Sequence, residues 1–325
     1  MRCINKRKKY IGIGCVLLSA SMLFCGCSSK EVSYAESYEA VQYTKDLYRG
    51  TLFAEDLCVA SEDVALEGYT EDPTFHAAGL FDLEEEKVLY ADRIHERLYP
   101  ASTTKLMTAY LALKYGNMED VVTVGENATS FAPDEQVCGL QTGDKLTLYD
   151  LFAGLMLYSG NDCATAIAEH ISGNVTEFAE LMNQEAWSLG AVNSHFVNPH
   201  GLQNEEHYTT AYDLYLIFNA CAKDERFLDL ISQKEYSVSI TGADGTVRND
   251  VWAATNYYSS GEAEMPEGIT VFGGKTGTTN EAGNCVILYE EDPEGKPYIS
   301  VIMGAADKPT LYQYMSQLLT AGIRK

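Results

Sequence analysis

The sequence predicts an α/β fold of the α+β type, in which one sheet forms from strands near both ends of the chain and a helical lobe is inserted between them. Strand-like stretches with hairpin turns occur at 77–91 and at 271–303. The segment between them carries apolar residues at helical spacing. Strands so distant in sequence share one sheet only if the intervening chain folds aside as a separate lobe.

The N-terminus has the features of an export leader. Five basic residues precede an apolar run at 11–24, which has the length of a signal-peptide core and is short for a membrane span. Residues 1–26 are therefore predicted to be a signal peptide. The stretch 24–27, Phe-Cys-Gly-Cys, resembles a bacterial lipoprotein cleavage box, which makes Cys27 the predicted lipidation site. Cleavage near 33–35 and retention as an uncleaved anchor are the alternatives.

Two further segments follow the leader. Residues 27–50 are polar and rich in Tyr, and they are predicted to be a tether. From residue 51 to residue 325 the composition is that of a folded domain. The protein is therefore expected to be exported and held at the extracytoplasmic face of a bacterial membrane through its N-terminus.

The charge of the chain excludes one class of partner. The 325 residues include 23 Lys plus Arg against 47 Asp plus Glu, which gives a formal net charge of −24. Such an acidic protein is not expected to bind nucleic acid or to hold anionic lipid through a basic patch. Membrane contact is expected only through the N-terminus.

The cysteines of the predicted domain do not indicate a disulfide framework. If Cys27 is lipidated, an odd number remains, without close pairing or Cys-x-x-Cys spacing. They are predicted to be small buried residues. These cysteines are Cys58, Cys138, Cys163, Cys221 and Cys285.

The first predicted elements are a hairpin and a helix. Strands at 77–82 and 88–91 are joined across an acidic turn. Pro100 then lies just before a helix, and no Pro or Gly follows until Gly116. Apolar residues at helical spacing predict that this helix begins near Ser102 and is buried along one side.

The remaining elements follow from caps, turns and periodicity. The middle of the chain predicts a short strand at 121–124, a buried helix at 148–157 capped by Thr147 and Asp150, helices at 162–171 and 176–189, and a helix opened by Thr209, Thr210 and Asp213. The end predicts a strand through 271–279, strands at 285–289 and 298–303 with a turn at 292–296, and a closing helix at 309–323.

A hydroxyl and an amine stand three positions apart where the first helix begins. Ser102 and Lys105 would meet on one helix face. A neutral amine within hydrogen-bond reach could take the serine proton as the hydroxyl attacks a carbonyl. Burial or a second nearby cation could keep Lys105 neutral. Unpaired N–H groups at the helix start would lie near the resulting oxyanion.

A second pattern, Ser-Gly-Asn, occurs twice. One copy spans Ser159 to Asn161, and the other spans Ser172 to Asn174. They lie at opposite ends of a predicted helix about 15 Å long, so both cannot line one pocket. The first copy follows the buried helix at 148–157, whereas the second is typical of a helix-ending turn. Ser159 and Asn161 are therefore the predicted site residues.

A third pattern is Lys275, Thr276 and Gly277. On a strand edge it supplies a cation and a hydroxyl for a substrate carboxylate, and a glycine that lets a substrate backbone lie close. Each pattern alone has a structural explanation. Together, in this order and at wide spacing, they offer a nucleophile, a base, a proton relay and a carboxylate anchor.

The ordered set resembles the serine penicillin-recognising enzymes. The stretches at 100–105, 159–162, 198–202, 208–214 and 275–283 are most similar to the low-molecular-weight D-alanyl-D-alanine carboxypeptidases. The resemblance implies a β-lactamase/transpeptidase-like fold with an antiparallel five-stranded sheet, flanking helices and an all-helical lobe. It makes residues 51–325 the catalytic domain. It also implies a peptidoglycan stem peptide ending in D-Ala-D-Ala as substrate, β-lactams as covalent inhibitors, and no cofactor or metal.

The resemblance also implies the role of each site residue. It makes Ser102 the acylated nucleophile, Lys105 its base and Ser159 the proton relay. Asn161 would hold both the substrate amide and Lys105, while Lys275 and Thr276 would bind the terminal carboxylate. The N–H groups of Ser102 and Thr278 would form the oxyanion hole. Whether water or an amine resolves the acyl-enzyme is left open. Little sequence follows the predicted closing helix, so we expect the C-terminal β-rich domain of many relatives to be absent and an N-terminal anchor to replace it.

Three other functions are alternatives to this one. Glu180 and Asn183 superficially resemble the Glu-x-x-x-Asn loop of class A β-lactamases, but their surroundings predict a packed helix. A non-catalytic peptidoglycan-binding lipoprotein is the second alternative. The third is a histidine-based metal or triad enzyme. His195, His200 and His207 lack ligand spacing, and His200 is predicted to form turn hydrogen bonds.

Overall fold

The computed structural model describes residues 56–70 and 75–323. The predicted signal peptide, the lipidation site Cys27 and the tether lie outside these described residues. Within the described part, no helix combines the length and the apolar character that a membrane crossing requires.

The central element is a five-stranded antiparallel sheet with strand order β2-β1-β9-β8-β7. Its strands are β1 (Ala77–Asp82), β2 (Lys87–Asp92), β7 (Thr270–Thr279), β8 (Gly283–Glu291) and β9 (Pro297–Ala305). The predicted five-stranded sheet is confirmed. As expected from strands near both ends of the chain, β1 and β9 lie side by side. The edge strand β7 carries the Lys-Thr-Gly pattern.

Helices cover both faces of this sheet. On one face lies α8 (Lys308–Ile323), whose Leu311, Met315 and Leu319 join a buried cluster with Leu80 and Ile302. The other face packs against α5 (Ala211–Ala222) and the rest of the helical lobe, with Phe81 stacked on Tyr215 at a ring-centroid distance of 4.0 Å. The sheet is therefore buried on both sides, and its two cores are separate.

The lobe between β2 and β7 contains most of the helices. They are α1 (Lys105–Tyr115), α2 (Leu148–Ala153), α3 (Asn161–Ser172), α4 (Val175–Ser188), α5 (Ala211–Ala222), α6 (Glu225–Ile231) and α7 (Tyr257–Ser260). Thr147 and Asp150 form the predicted capping box of α2. The helix predicted for 148–157 is α-helical only to Ala153, and Gly154–Tyr158 continue as a π-helical turn.

The lobe differs from the expected all-helical one because it also holds a four-stranded antiparallel sheet. The order is β3-β4-β5-β6, with β3 (Val121–Thr123), β4 (Lys145–Thr147), β5 (Glu235–Thr241) and β6 (Val247–Ala253). Only β3 was predicted from the sequence. The buried Trp252 of β6 packs against Gly154, so this sheet supports the π-helical turn from outside.

Candidate active site

The candidate nucleophile lies in a tight turn before α1. Ala101–Thr104 form a 3-10 turn, and α1 begins only at Lys105, so the helix starts three residues later than predicted. Ala101 has a φ of 47°, a value that L-residues rarely adopt. Side chains at i and i+3 eclipse in a 3-10 turn. Ser102 and Lys105 therefore face each other directly.

The amine of Lys105 has three close oxygen neighbours. Its Nζ lies 2.9 Å from Ser102 Oγ, 2.7 Å from Asn161 Oδ1 and 2.7 Å from the carbonyl oxygen of His200. A neutral amine has two N–H donors and one lone pair. The amide and carbonyl oxygens only accept here, so they take both N–H groups. The lone pair of a neutral Lys105 is then directed at the Ser102 hydroxyl proton.

Burial keeps Lys105 close to neutral. Its side chain is fully buried at the base of α1, and this desolvation lowers its pKa to about 7, although the Asp162 carboxylate partly opposes the shift. The sequence left burial and a second cation as alternative causes. The structure identifies burial as the cause at Lys105, whereas at Lys275 burial lowers the pKa first and the charge of Lys105 lowers it further.

The structure separates the two Ser-Gly-Asn copies as predicted. Ser159 ends the π-helical turn with a left-handed φ of 68°, and Asn161 opens α3, where it bonds Lys105. In the second copy, Asn174 is the N-cap of α4 and its Oδ1 accepts the Glu177 N–H. The second copy is therefore a structural cap, and the first copy lies beside the candidate nucleophile.

Lys275 joins the strand β7 to Ser159. Its Nζ donates to Ser159 Oγ at 2.9 Å and to the carbonyl oxygen of Thr276 at 2.9 Å. Burial first, and then the charges of Lys105 and Lys308, hold its pKa well below the usual lysine value. Among the described residues, no carboxylate hydrogen-bonds this buried amine. A substrate carboxylate would supply the missing negative charge and favour the ammonium form.

Gly277 brings the strand edge against the nucleophile turn. A Cβ at this position would lie 2.9 Å from Ser102 N and 3.0 Å from the Pro100 carbonyl oxygen. Only glycine allows the two backbones to approach so closely. Thr278 is the next residue, so the backbone N–H groups predicted to form the oxyanion hole come from neighbouring segments. Thr276 Oγ1 lies 2.8 Å from Thr255 Oγ1.

The support behind the nucleophile turn was not predicted from the sequence. Val197 donates its N–H to His207 Nδ1 at 3.1 Å, so Nε2 carries the ring proton and donates to Thr104 Oγ1 at 2.8 Å. Thr104 in turn donates to the carbonyl oxygen of Ala101 at 2.8 Å. This chain holds the strained residue that precedes Ser102. No sequence pattern joins these residues, because they meet only in three dimensions.

Gly201 forms the other side of that support. It has a φ of 90°, and a Cβ there would lie 1.8 Å from the carbonyl oxygen of Ala101. His200, the preceding residue, accepts the Leu202 N–H on Nδ1, which confirms its predicted turn hydrogen bonds. Its carbonyl oxygen holds Lys105. The loop at 198–202 therefore positions both the nucleophile and its base through backbone atoms.

Glu180 takes no part in the described hydrogen bonds around the candidate nucleophile. It is exposed on α4, and Asn183 is engaged by the backbone of Ala179 and Phe196. This confirms the packed helix predicted for the segment. Among the residues that the structure describes, no glutamate hydrogen-bonds Ser102 or Lys105.

One group of potential metal ligands lies behind the site. Atoms of Cys138, Asp162 and Cys163 lie within 4.8 Å of one another. The Asp162 carboxylate already accepts the N–H groups of Cys138, Cys163 and Leu140. Burial raises the pKa of both thiols, which disfavours the thiolates that metals require. The group therefore fits a packing role, and all five described cysteines are buried as predicted.

The family model described as D-alanyl-D-alanine carboxypeptidase matches residues 70–307. Among curated proteins, the D-alanyl-D-alanine carboxypeptidase DacA of Haemophilus influenzae is 34% identical over 257 residues, which are 76% of this chain and 61% of the relative. DacF of Bacillus subtilis is 40% identical over 154 residues, or 46% of this chain and 39% of that protein. The chain therefore spans about three fifths of the length of DacA.

Solved structures give the same result for the fold. A mutant of the Streptomyces K15 DD-transpeptidase superposes with a TM-score of 0.72 at 26% identity, covering 79% of this chain and all of that one. Penicillin binding protein 5 from Haemophilus influenzae superposes with a TM-score of 0.69 at 31% identity, covering 78% of this chain and 72% of that one. The chain belongs to the D-alanyl-D-alanine carboxypeptidase family of serine peptidases.

Proposed function

We propose that the protein is a serine-type D-Ala-D-Ala carboxypeptidase that removes the terminal D-alanine of peptidoglycan stem peptides. The observation that carries this proposal is the buried Lys105 amine, whose two N–H groups are held by Asn161 and His200 so that its lone pair faces Ser102. Such an amine accepts a hydroxyl proton without any histidine.

Acylation follows from these contacts. Ser102 Oγ attacks the carbonyl of the penultimate D-alanine while Lys105 takes its proton. The oxyanion is stabilised by the backbone N–H groups of Ser102 and Thr278. Ser159, held by Lys275, passes a proton to the nitrogen of the departing D-alanine. The C–N bond breaks and an ester joins the substrate to Ser102.

The terminal carboxylate of the substrate binds at Lys275 and Thr276. Its charge complements the buried amine, and the exposed edge of β7 lets the peptide lie along the strand. Water then hydrolyses the ester, with Lys105 acting again as base. β-Lactams acylate the same serine and act as covalent inhibitors. An amine acceptor in place of water would give transpeptidation, the activity named for the Streptomyces neighbour.

The cellular location is part of the proposal. The leader at 1–26 and the box ending at Cys27 support export and anchoring of the N-terminus at the extracytoplasmic face of the membrane. Peptidoglycan stem peptides lie on that side. Because the net charge is −24, attachment to the membrane through the N-terminus is favoured, and attachment through a basic protein surface is not.

A class A-like β-lactamase is not favoured, because rapid deacylation there needs a glutamate-activated water. Glu180, the only glutamate singled out for that role, is exposed on α4. A non-catalytic peptidoglycan-binding lipoprotein is opposed by the intact contacts among Ser102, Lys105, Ser159 and Lys275.

The test is intact-mass analysis of the full-length protein with benzylpenicillin, followed by D-alanine release from a peptide ending in D-Ala-D-Ala. We expect one stable adduct, absent in Ser102→Ala, and D-alanine released only by the wild type. An adduct without release would indicate a transpeptidase or a sensor. No adduct would mean that Ser102 is not an activated nucleophile, and rapid penicillin turnover would indicate a β-lactamase.

A further inference from the structure

The outer strand of the four-stranded sheet has one edge that carries no further strand among residues 56–70 and 75–323. This strand, β6, pairs with β5 on one side only and stands last in the order β3-β4-β5-β6. It is seven residues long and contains no bulge, proline or lysine, which are features that commonly keep strand edges apart. The edge of β6 is therefore open to another strand.

The register with β5 fixes which backbone groups of β6 face this edge. Ala254 donates its N–H to the carbonyl oxygen of Lys234, and hydrogen-bonded positions alternate along an antiparallel pair. The even-numbered residues of β6 therefore bond to β5. The odd-numbered residues Val247, Asn249 and Val251 direct their N–H and C=O groups outward.

The side chains of β6 are complementary to a second copy of the same strand. Two copies can run antiparallel with Asn249 opposite Asn249. Val247 then lies opposite Val251 at each end of the contact, and these odd-numbered pairs are the ones that exchange N–H···O bonds. Arg248 lies opposite Asp250, also twice. Because the two valines are 63% and 50% exposed, the pairing removes apolar surface from water.

The charged residues of β6 are available for this contact. Arg248 donates to the Asp144 carboxylate, but its side chain is 37% exposed and a guanidinium has five N–H donors. In the single chain, Asp250 Oδ1 accepts the outward N–H of Val251 at 2.8 Å. In the pair, the carbonyl oxygen of Val247 of the second copy would accept that N–H. Asp250 would then be free to bond Arg248 of the second copy.

We propose that β6 is a homodimer interface, at which two copies of this chain join their four-stranded sheets into one sheet of eight strands. The proposal is independent of the peptidase activity, because it uses no residue of the candidate active site. The contact is short, so the dimer is expected to be weak in dilute solution. Anchoring of many N-termini at one membrane would favour it by raising the local concentration.

Cysteine cross-linking of the full-length protein tests the register. The Cα atoms of a hydrogen-bonded pair are about 5.5 Å apart, a distance that a disulfide spans. Oxidation of Asn249→Cys with copper phenanthroline should therefore give several-fold more covalent dimer than the wild type. Val247→Cys alone should not, because its two copies lie about 14 Å apart, but it should cross-link when mixed with Val251→Cys. The control is Val121→Cys, at the exposed opposite edge of the sheet, which should match the wild type.

Sedimentation velocity tests the backbone bonds. Asn249→Pro removes an outward N–H without removing a bond to β5, and it should raise the dimer dissociation constant about ten-fold or more. Asn249→Ala is the matched control. It also loses the contact with Ser239 Oγ but keeps the N–H, so its dissociation constant should stay near the wild-type value.

A wild-type chain that stays monomeric at every concentration, with no excess cross-linking of Asn249→Cys, would overturn the proposal. The proposal would also be wrong if a dimer formed that cross-links equally well through Val121→Cys or that Asn249→Pro does not weaken. Far-UV circular dichroism shows whether each variant is folded. The cysteine series alone decides the question if the proline variant is not.

Discussion

The Nζ of Lys105 lies 2.9 Å from the Oγ of Ser102, and both of its N–H groups have acceptors elsewhere. Acylation of Ser102 therefore depends on the protonation state of the Lys105 amine. With a pKa lowered to about 7, roughly half of Lys105 is neutral at pH 7. The protein can therefore use lysine as a base without strongly alkaline conditions.

The first prediction concerns pH. Because only the neutral amine accepts the Ser102 proton, the rate of acylation by benzylpenicillin should rise with pH and level off above a midpoint near 7. Lys105→Arg, which stays protonated, should slow acylation about 10²- to 10⁴-fold. Stopped-flow or quenched intact-mass kinetics measure both. Lys145→Arg, at the surface on β4, is the control, and an equal loss there would contradict the role of Lys105.

The second prediction uses the repeated Ser-Gly-Asn pattern. Asn161→Ala removes the acceptor of one Lys105 N–H and should slow acylation roughly 10²-fold. Asn174→Ala removes the cap of α4 and should lower the free energy of unfolding by about 1 kcal/mol while acylation stays at the wild-type rate. Urea unfolding and penicillin acylation measured on both variants separate the two roles. Equal acylation rates in the two variants would mean that the wrong copy has been assigned.

The third prediction compares two glycines with similar backbone angles. Gly201 and Gly245 have φ values of 90° and 85°, but only a Cβ at Gly201 meets another atom, the carbonyl oxygen of Ala101. Gly245→Ala should cost about 1 kcal/mol of stability from backbone strain alone. Gly201→Ala should cost about 3 kcal/mol or more and also slow acylation, because it displaces the turn before Ser102. Unimpaired acylation in Gly201→Ala would show that this contact does not position the nucleophile.

The fourth prediction concerns a buried carboxyl in the central sheet. Burial raises the pKa of Glu290 to about 8; Ser300 donates to its Oε1, while its Oε2 has no partner among the described residues. In the unfolded chain, Glu290 releases its proton near pH 4.5. The contribution of the protonated Glu290 to stability is therefore complete below that pH, and it is lost as the pH rises toward 8. Glu290→Gln should remove this decline, which amounts to roughly 3 kcal/mol by pH 7.

Urea unfolding at pH 5 and pH 8 measures the effect. The control is Glu291→Gln, the half-exposed neighbour, which should follow the wild-type profile. If Glu290→Gln loses stability between these pH values as fast as the wild type does, then Glu290 is not the group that titrates.

Much of the fold was predictable because its signals are local. The caps at Thr147 and Thr210, the turn at 292–296 and the apolar runs of β8 and β9 each depend on neighbouring residues. The second sheet gave mixed signals: β3 was predicted, and β5 has Val238 and Ile240 buried in alternation with polar residues, a local strand pattern that was missed. In β6 only Trp252 is buried, so the alternation that marks a half-buried strand is absent, and β4 is three residues long.

In the site, too, features set by neighbouring residues were predicted, whereas features set by distant residues were not. Ser102, Ser159 and Lys275 stand in short patterns whose chemistry can be inferred from residue types. The contact between His207 and Thr104 joins residues about a hundred positions apart, and no periodicity predicts it. The 3-10 turn at 101–104 was also missed, because it is set by packing of Gly201 and Gly277 rather than by the helical preference of its own residues.

The pairing of β1 with β9 has a consequence for how the protein folds. Leu80 pairs with Ser300, so the sheet closes only after nearly the whole folded domain is available to it. Such long-range pairing slows folding, because the entropy of closing a large loop is lost before the contacts form. Lys275 lies on the edge of this sheet, so catalytic competence should appear late in refolding, after the helical lobe has acquired its secondary structure.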